Sequence, residues 1–162
     1  MLFESQIEKQ LVSVGFDNMN LEQKNELITT LARREGAVLS QITNEYILNH
    51  HKQLKIDMMS ETCDDTITAG FKSSNGHTYR LNRDDQINLM GQLEELNFDE
   101  TIADIFWRTE DLGYIDHTRE EWVNKVYREA FAHKKANLFK YNDLKSKITD
   151  AKTHAEVVAI VW

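Results

Sequence analysis

The chain has 162 residues, with 27 Asp and Glu against 19 Lys and Arg, a formal net charge of −8 and a pI near 5.2. That balance argues against a general nucleic-acid binder, whose phosphate contacts need a basic surface. A single cysteine, Cys63, leaves no intramolecular disulfide framework and no paired-cysteine zinc spacing. Residues 1–14 alternate apolar with charged positions and no apolar run is long enough to cross a bilayer, so a soluble chain is expected, with neither a secretory leader nor membrane insertion. The length suits one domain, or a domain of roughly 100 residues plus an arm, and the pattern favours the second.

Leu2, Phe3, Ile7, Leu11 and Val14 recur three or four apart up to Gly15, which predicts a short amphipathic helix with a glycine stop. Asn20 with Gln23 forms a capping-box pattern that opens a longer helical stretch. Written as heptads, residues 21–59 place Leu21, Ile28, Ile42 and Ile56 at a and Leu31, Val38 and Met59 at d. Glu35, Asn49, Lys24, Glu45 and Lys52 interrupt the same seam, and Ala32, Leu39 and Tyr46 widen it, which fits a packed helix better than a strict coiled coil. Gly36 leaves one helix or two open. Residues 1–60 thus read as a helical arm whose stripe (Ile28, Leu31, Val38, Leu39, Ile42, Tyr46) must be buried, either by folding back on the chain's own domain or, as favoured here, against a partner or a second copy. Ser60–Thr66 is polar and reads as a connector, and residues 66–162 as a small self-sufficient domain.

The second part begins with Gly70-Phe71-Lys72-Ser73-Ser74-Asn75-Gly76-His77-Thr78-Tyr79, a hairpin signal. A three-residue loop Ser74-Asn75-Gly76, with Gly76 at positive φ, pairs Phe71 with Tyr79 and Ala69 with Leu81 and gives one apolar face. Asn82 then caps a helix with Asp85 at its third position, and Ile87, Leu89, Met90, Leu93 and Leu96 form the expected buried stripe. Ile105–Thr109, a turn through Gly113 and a return at Tyr114-Ile115 predict a second hairpin, with Trp107 in the core. Thr118 with Glu121 is a capping box before a long helix through Trp122, Val126 and Ile148, ending near Ala151. Thr153 with Glu156 opens a last short helix, and Val158, Val161 and Trp162 are expected to dock. The expected fold is therefore helix-rich α+β: a helical N-terminal arm followed by β-hairpins packed with helices.

Reactive chemistry finds little purchase. His50-His51 are adjacent, so they face different sides of a helix, whereas helical metal pairs sit three or four apart. Cys63 is followed by Asp64 and Asp65, which disfavour a thiolate. The acid pairs at 84–85 and 120–121 fall in first helical turns and 94–95 on a solvated face. No phosphate loop, nucleophile elbow or metalloprotease motif occurs. No enzymatic activity, metal or cofactor is expected.

The order of several short words resembles a known family. Gly70-Phe71, Ser73, Asn75-Gly76 and Tyr79-Arg80 lead to Asp85-Gln86-Ile87-Asn88. After Trp107, Thr109-Glu110-Asp111 and Gly113 come His117-Thr118, Glu120-Glu121, His133-Lys134, and a tail from Ile148, Ala151 and Thr153 to Ile160-Val161-Trp162. Residues 66–162 resemble an uncharacterised domain of small bacteriophage tail proteins from phages of Gram-positive hosts, encoded among tail-tip, baseplate and tail-fibre genes. The resemblance implies a virion structural protein of the tail tip or baseplate, made in the host cytoplasm and contacting other tail proteins or itself. A non-virion fibre-assembly chaperone and a carbohydrate-binding module are the alternatives. It carries over no catalytic residue.

Overall fold

A computed structural model of the chain describes residues 5–162; Leu2 and Phe3, assigned above to the first helix, lie outside the described residues. The order of elements is α1 (Gln6–Val14), α2 (Leu21–Glu35), α3 (Asn44–Thr68), β1 (Phe71–Lys72), β2 (Thr78–Tyr79), α4 (Arg83–Phe98), β3 (Asp104–Thr109), β4 (Gly113–Thr118), α5 (Arg119–Glu121), α6 (Arg128–Asp150) and α7 (His154–Ala159). Each pair of strands is an isolated antiparallel hairpin, so the fold is helix-rich α+β. The chain divides into two compact units: residues through Thr62 together with Tyr141–Trp162, and Cys63–Lys140.

That division corrects the expected arm and domain. Ser60–Thr66 belongs to α3 rather than to a connector; its polar residues are the solvent face of a helix that buries Met59, Cys63 and Ile67 at four-residue intervals. Residues 141–162 join the first unit because Leu144, Ile148, Ala151 and Val157 bury their side chains with Met59.

In the first unit the Asn20–Gln23 capping box forms in both directions, and Gly36, left-handed at φ 63°, ends α2. The stretch 21–59 is therefore two helices, and a heptad register does not survive the turn between them. Leu31 and Ile42, expected at a partner interface, lie in the unit's own core with Ile7, Leu11, Phe16, Leu27, Ile47 and Leu54. Ile28 and Tyr46 pack against that core half-buried, while Val38 and Leu39 are exposed. At the other end Ile160 and Trp162 rest against the Met59–Leu144–Ile148 cluster. Val158, on α7, is half-buried, and Val161, expected to be buried, is 69% exposed: after α7 the chain extends, and alternate residues face opposite ways.

In the second unit the first hairpin takes the expected register, Phe71 opposite Tyr79 and Lys72 opposite Thr78. Gly76 N–H donates to Ser73 O at φ 94°, closing the three-residue loop. The ladder does not extend to Ala69 and Leu81, because Gly70 turns the chain at φ 95° with the Tyr79 carbonyl so close that a Cβ there would collide with it. Asn82 and Asp85 cap α4 reciprocally. The stripe of α4 is narrower than expected: Leu89 and Leu96 are buried, but Ile87 and Met90 are 66% and 67% exposed. A seam of two residues seven apart turns its flanking positions outward. β3 and β4 pair from Asp104 with Thr118 to Thr109 with Gly113. Beyond α5, residues Trp122–Tyr127 form a π-helical segment in which Arg128 N–H reaches Val123 O. It leads into α6, and along this stretch Trp122, Val126 and Ala130 are the buried side chains.

Candidate functional site in the second unit

The words that carried the family resemblance converge on one polar network. Asn75 Oδ1 accepts from His77 N–H, shaping the loop, and Asn75 Nδ2 donates to Tyr79 Oη at 2.8 Å and to Glu121 Oε1 at 3.2 Å. Tyr79 Oη stands 3.4 Å from His117 Nε2, and His117 Nδ1 faces Glu121 Oε2 at 3.7 Å. In one tautomer the tyrosine hydroxyl donates to Nε2 and Nδ1–H points at the carboxylate, which at 3.7 Å lies beyond hydrogen-bond distance and leaves Nδ1 without a hydrogen-bond partner. Thr118 does cap α5 through Glu121 N–H. The Glu121 side chain, expected to complete a capping box, is instead committed to Asn75 and His117. Around this network Asp111 accepts from Thr78 N–H and pairs with His77 Nδ1 at 2.8 Å, and Glu110 N–H donates to Thr78 O. Ser73 Oγ donates to Lys125 O in the π segment, a carbonyl whose helical bonding is irregular.

Tyr79 and His117 are each 1% exposed. Burial raises the Tyr79 phenol above its ordinary value, and burial lowers the His117 imidazole although the Glu121 charge opposes it. Groups sealed this way meet no substrate; they tie the two hairpins and α5 into one rigid platform.

On that platform lies an open cleft of about 490 Å³, within the span of about 300–1,000 Å³ usual for small-molecule sites. α4 supplies Ile87, Asn88, Gly91, Gln92 and Glu95; β3 and β4 supply Phe106, Trp107, Arg108 and Tyr114; Arg80 and Asp85 close one end. Phe106 and Tyr114 are diagonal neighbours across the ladder, stacked with ring centroids 5.3 Å apart, and 64% and 60% exposed. Trp107 is half-buried, set edge-on against Trp122 at 5.2 Å. It is therefore a cleft residue as well as a core residue, whereas Trp122 is wholly core. Arg80 is held by Asp85 and Glu110, each at 3.3 Å. A smaller apolar groove, about 190 Å³, runs between Leu81, Leu89 and Met90 on one side and Ala130 and Phe131 on the other, with Lys134 at its edge.

The other residues weighed from sequence fall elsewhere. His50 pairs with Glu8 at 2.8 Å, and His51 meets His154 through their Nδ1 atoms at 2.9 Å, on different sides of α3 as adjacency requires. Cys63 is buried, and burial, with the Asp64 charge, pushes its thiol up. Among the described residues no group of three or more His, Cys, Asp or Glu is arranged to hold a metal, and no helix is long and apolar enough to cross a membrane. The sequence reading missed Asn88, Gly91, Gln92, Arg108 and Tyr114 as cleft residues; the one signal for them was a glycine inside a helical pattern.

By fold and site this is a helix-rich α+β protein with a rigid double-hairpin platform and an aromatic-walled cleft. Residues 50–161 match the family described as Domain of unknown function (DUF4376), and the chain belongs to that family. The matched segment starts inside α3, earlier than the resemblance at residue 66 suggested. No curated protein and no solved structure matches the chain.

Proposed function

We propose that this chain is a non-enzymatic structural component of a bacteriophage tail tip or baseplate, where it holds or helps to assemble a fibre or receptor-binding protein. The second unit, rather than the helices at 28–46, makes the contact. One observation carries this reading: among the described residues, nine of the thirteen exposed large hydrophobic side chains lie between Cys63 and Lys140. They include Met90 and Phe131, which line the apolar groove. Exposed apolar surface of this kind marks interaction sites, and the resemblance of residues 66–162 to phage tail proteins supplies the kind of partner.

Quantitative mass spectrometry of purified, salt-washed particles tests it. The expected result is the chain retained in a fixed ratio to the other tail proteins. Its absence from washed particles, with abundance in infected-cell lysate, would overturn the virion role in favour of an assembly chaperone.

A further inference from the structure

We propose that the cleft between α4 and the β3–β4 hairpin is a binding site for a neutral glycan, one or two pyranose rings seated over Gly91 against Phe106, Trp107 and Tyr114. This goes beyond a tail-assembly role and does not depend on it. Three observations carry the inference.

The first is Gly91. Glycine is the least favourable residue other than proline in a helix interior, yet nothing in the fold asks for it here: its φ is not positive, and a Cβ built on it meets nothing within 4 Å. What the missing side chain preserves is the open floor of the cleft, where a flat ligand can approach the helix.

The second is the wall. Phe106 and Tyr114 stay mostly exposed on paired strands, and Trp107 contributes from the same strand. An aromatic face is electron-rich, and the C–H face of a pyranose presents a weakly positive apolar patch to it. The rings sit on a hairpin fixed by the buried Tyr79–His117–Glu121 network, so little ordering is needed when a ligand binds.

The third is the polar rim. Two guanidinium groups, Arg80 and Arg108, face two carboxylates, Asp85 and Glu95, so the cleft is formally neutral in a chain of net charge −8. That charge balance disfavours an anionic or cationic ligand. The side chains of Asn88 and Arg108 bond to no other described residue. Together with the Gln92 amide, which donates to Glu95, they offer both donors and acceptors, as vicinal hydroxyls, each a donor and an acceptor, require. A peptide anchored by apolar side chains would find Asn88, Gln92 and Glu95 where it needs apolar surface.

The test is a titration of the ¹⁵N-labelled full chain with maltohexaose, cellohexaose, chitohexaose and a galactan hexamer, repeated with Gly91→Leu and with the Phe106→Ala/Tyr114→Ala pair. Binding by at least one sugar is expected, with amide shifts confined to residues 87–95 and 105–115. Gly91→Leu should raise the melting temperature, because leucine favours the helix, while weakening that sugar by about tenfold or more through occlusion. The double alanine variant should weaken it comparably through lost stacking. No shift with any of the four sugars would overturn the proposal. So would shifts that persist undiminished in Gly91→Leu, or a cleft that answers only to unstructured aromatic peptides run as a control.

Discussion

The two units handle unfavourable side chains in opposite ways. The first buries ionisable side chains: Glu8, His51, Lys55 and His154 all lie inside it, Glu8 held by Arg34 and His50 at 2.8 Å each. The second exposes apolar surface, leaving Phe106, Tyr114, Met90 and Phe131 in water while spending its buried hydrogen bonds on fixing two hairpins. Polar groups that are buried and satisfied specify a unique packing; large apolar groups left outside are stabilising only when something covers them. On the proposed reading, the contrast makes the first unit a scaffold and the second the surface that meets other molecules.

The harshest challenge to that contrast is to cut the chain where the sequence suggested a boundary. Residues 66–162 alone keep Leu144, Ile148 and Val157 but lose Met59, with which they bury, and an amphipathic helix draws most of its stability from such packing. The fragment is expected to be aggregated or largely unfolded by size-exclusion chromatography and circular dichroism. A folded, monomeric fragment would restore the arm-and-domain division and remove the scaffold role from residues 1–62.

Within the first unit, paired substitutions separate core from surface along the stripe once assigned to a partner. Leu31 is fully buried and Val38 is 64% exposed. Leu31→Ala should cost about 2–5 kcal/mol and Val38→Ala no more than about 0.5 kcal/mol in urea unfolding of the full chain. Equal effects would mean that the stripe acts as one surface.

Why the sequence misled there and not at the hairpins is a matter of range. Asn75, Gly76, Asn82 and Thr118 act on backbone groups two to four residues away, so their turns and caps are written locally and were read with the right register. Whether Leu31 faces its own core or a partner depends on Leu11, Ile47 and Leu54, which come from other helices. The cleft was illegible for the same reason. Gly91 and Tyr114 come together only after α4 and the second hairpin are placed, and Glu121, read as a cap, was claimed by Asn75 and His117 from other elements.

Acid should weaken the first unit early. Burial, reinforced by the charges of His154 and Lys55, lowers His51 from 6.5 to about 3, and burial lowers His154 against the opposing Asp17 charge. Two Nδ1 atoms 2.9 Å apart share one proton, so the pair is neutral in the fold. Below pH 6.5 the unfolded chain takes up protons that the folded chain refuses until about pH 3, so stability is full above pH 6.5 and falls as the pH drops through that window. Glu8 acts lower: burial raises it, but hydrogen bonds from Arg34, His50 and Ser5 outweigh burial and bring it from 4.5 to about 2. Its contribution is full above pH 4.5 and is lost only below. The His51→Phe variant should therefore show a flatter loss of stability between pH 6.5 and 4.5 in urea titrations, with the steeper loss below pH 4.5 retained. An unchanged slope in the upper window would assign it to another group, His117 of the second unit being the first to examine.

A modest effect is expected at the loop that the sequence advertised most strongly. Gly76 and Gly70 have nearly the same φ, 94° and 95°, but a Cβ at Gly76 meets nothing within 4 Å, whereas one at Gly70 would collide with the Tyr79 carbonyl. Gly76→Val therefore carries the conformational penalty alone, about 1–2 kcal/mol, read as a lowered urea midpoint with unchanged slope. It leaves the Asn75–Tyr79 bond and the buried network in place, so amide shifts should be confined to the loop. A loss spread over Tyr79, His117 and Glu121 would show that the loop, and not the network beneath it, fixes the platform; an unchanged midpoint would count against the positive-φ turn. Either result would revise how the second unit holds its apolar surface out in water.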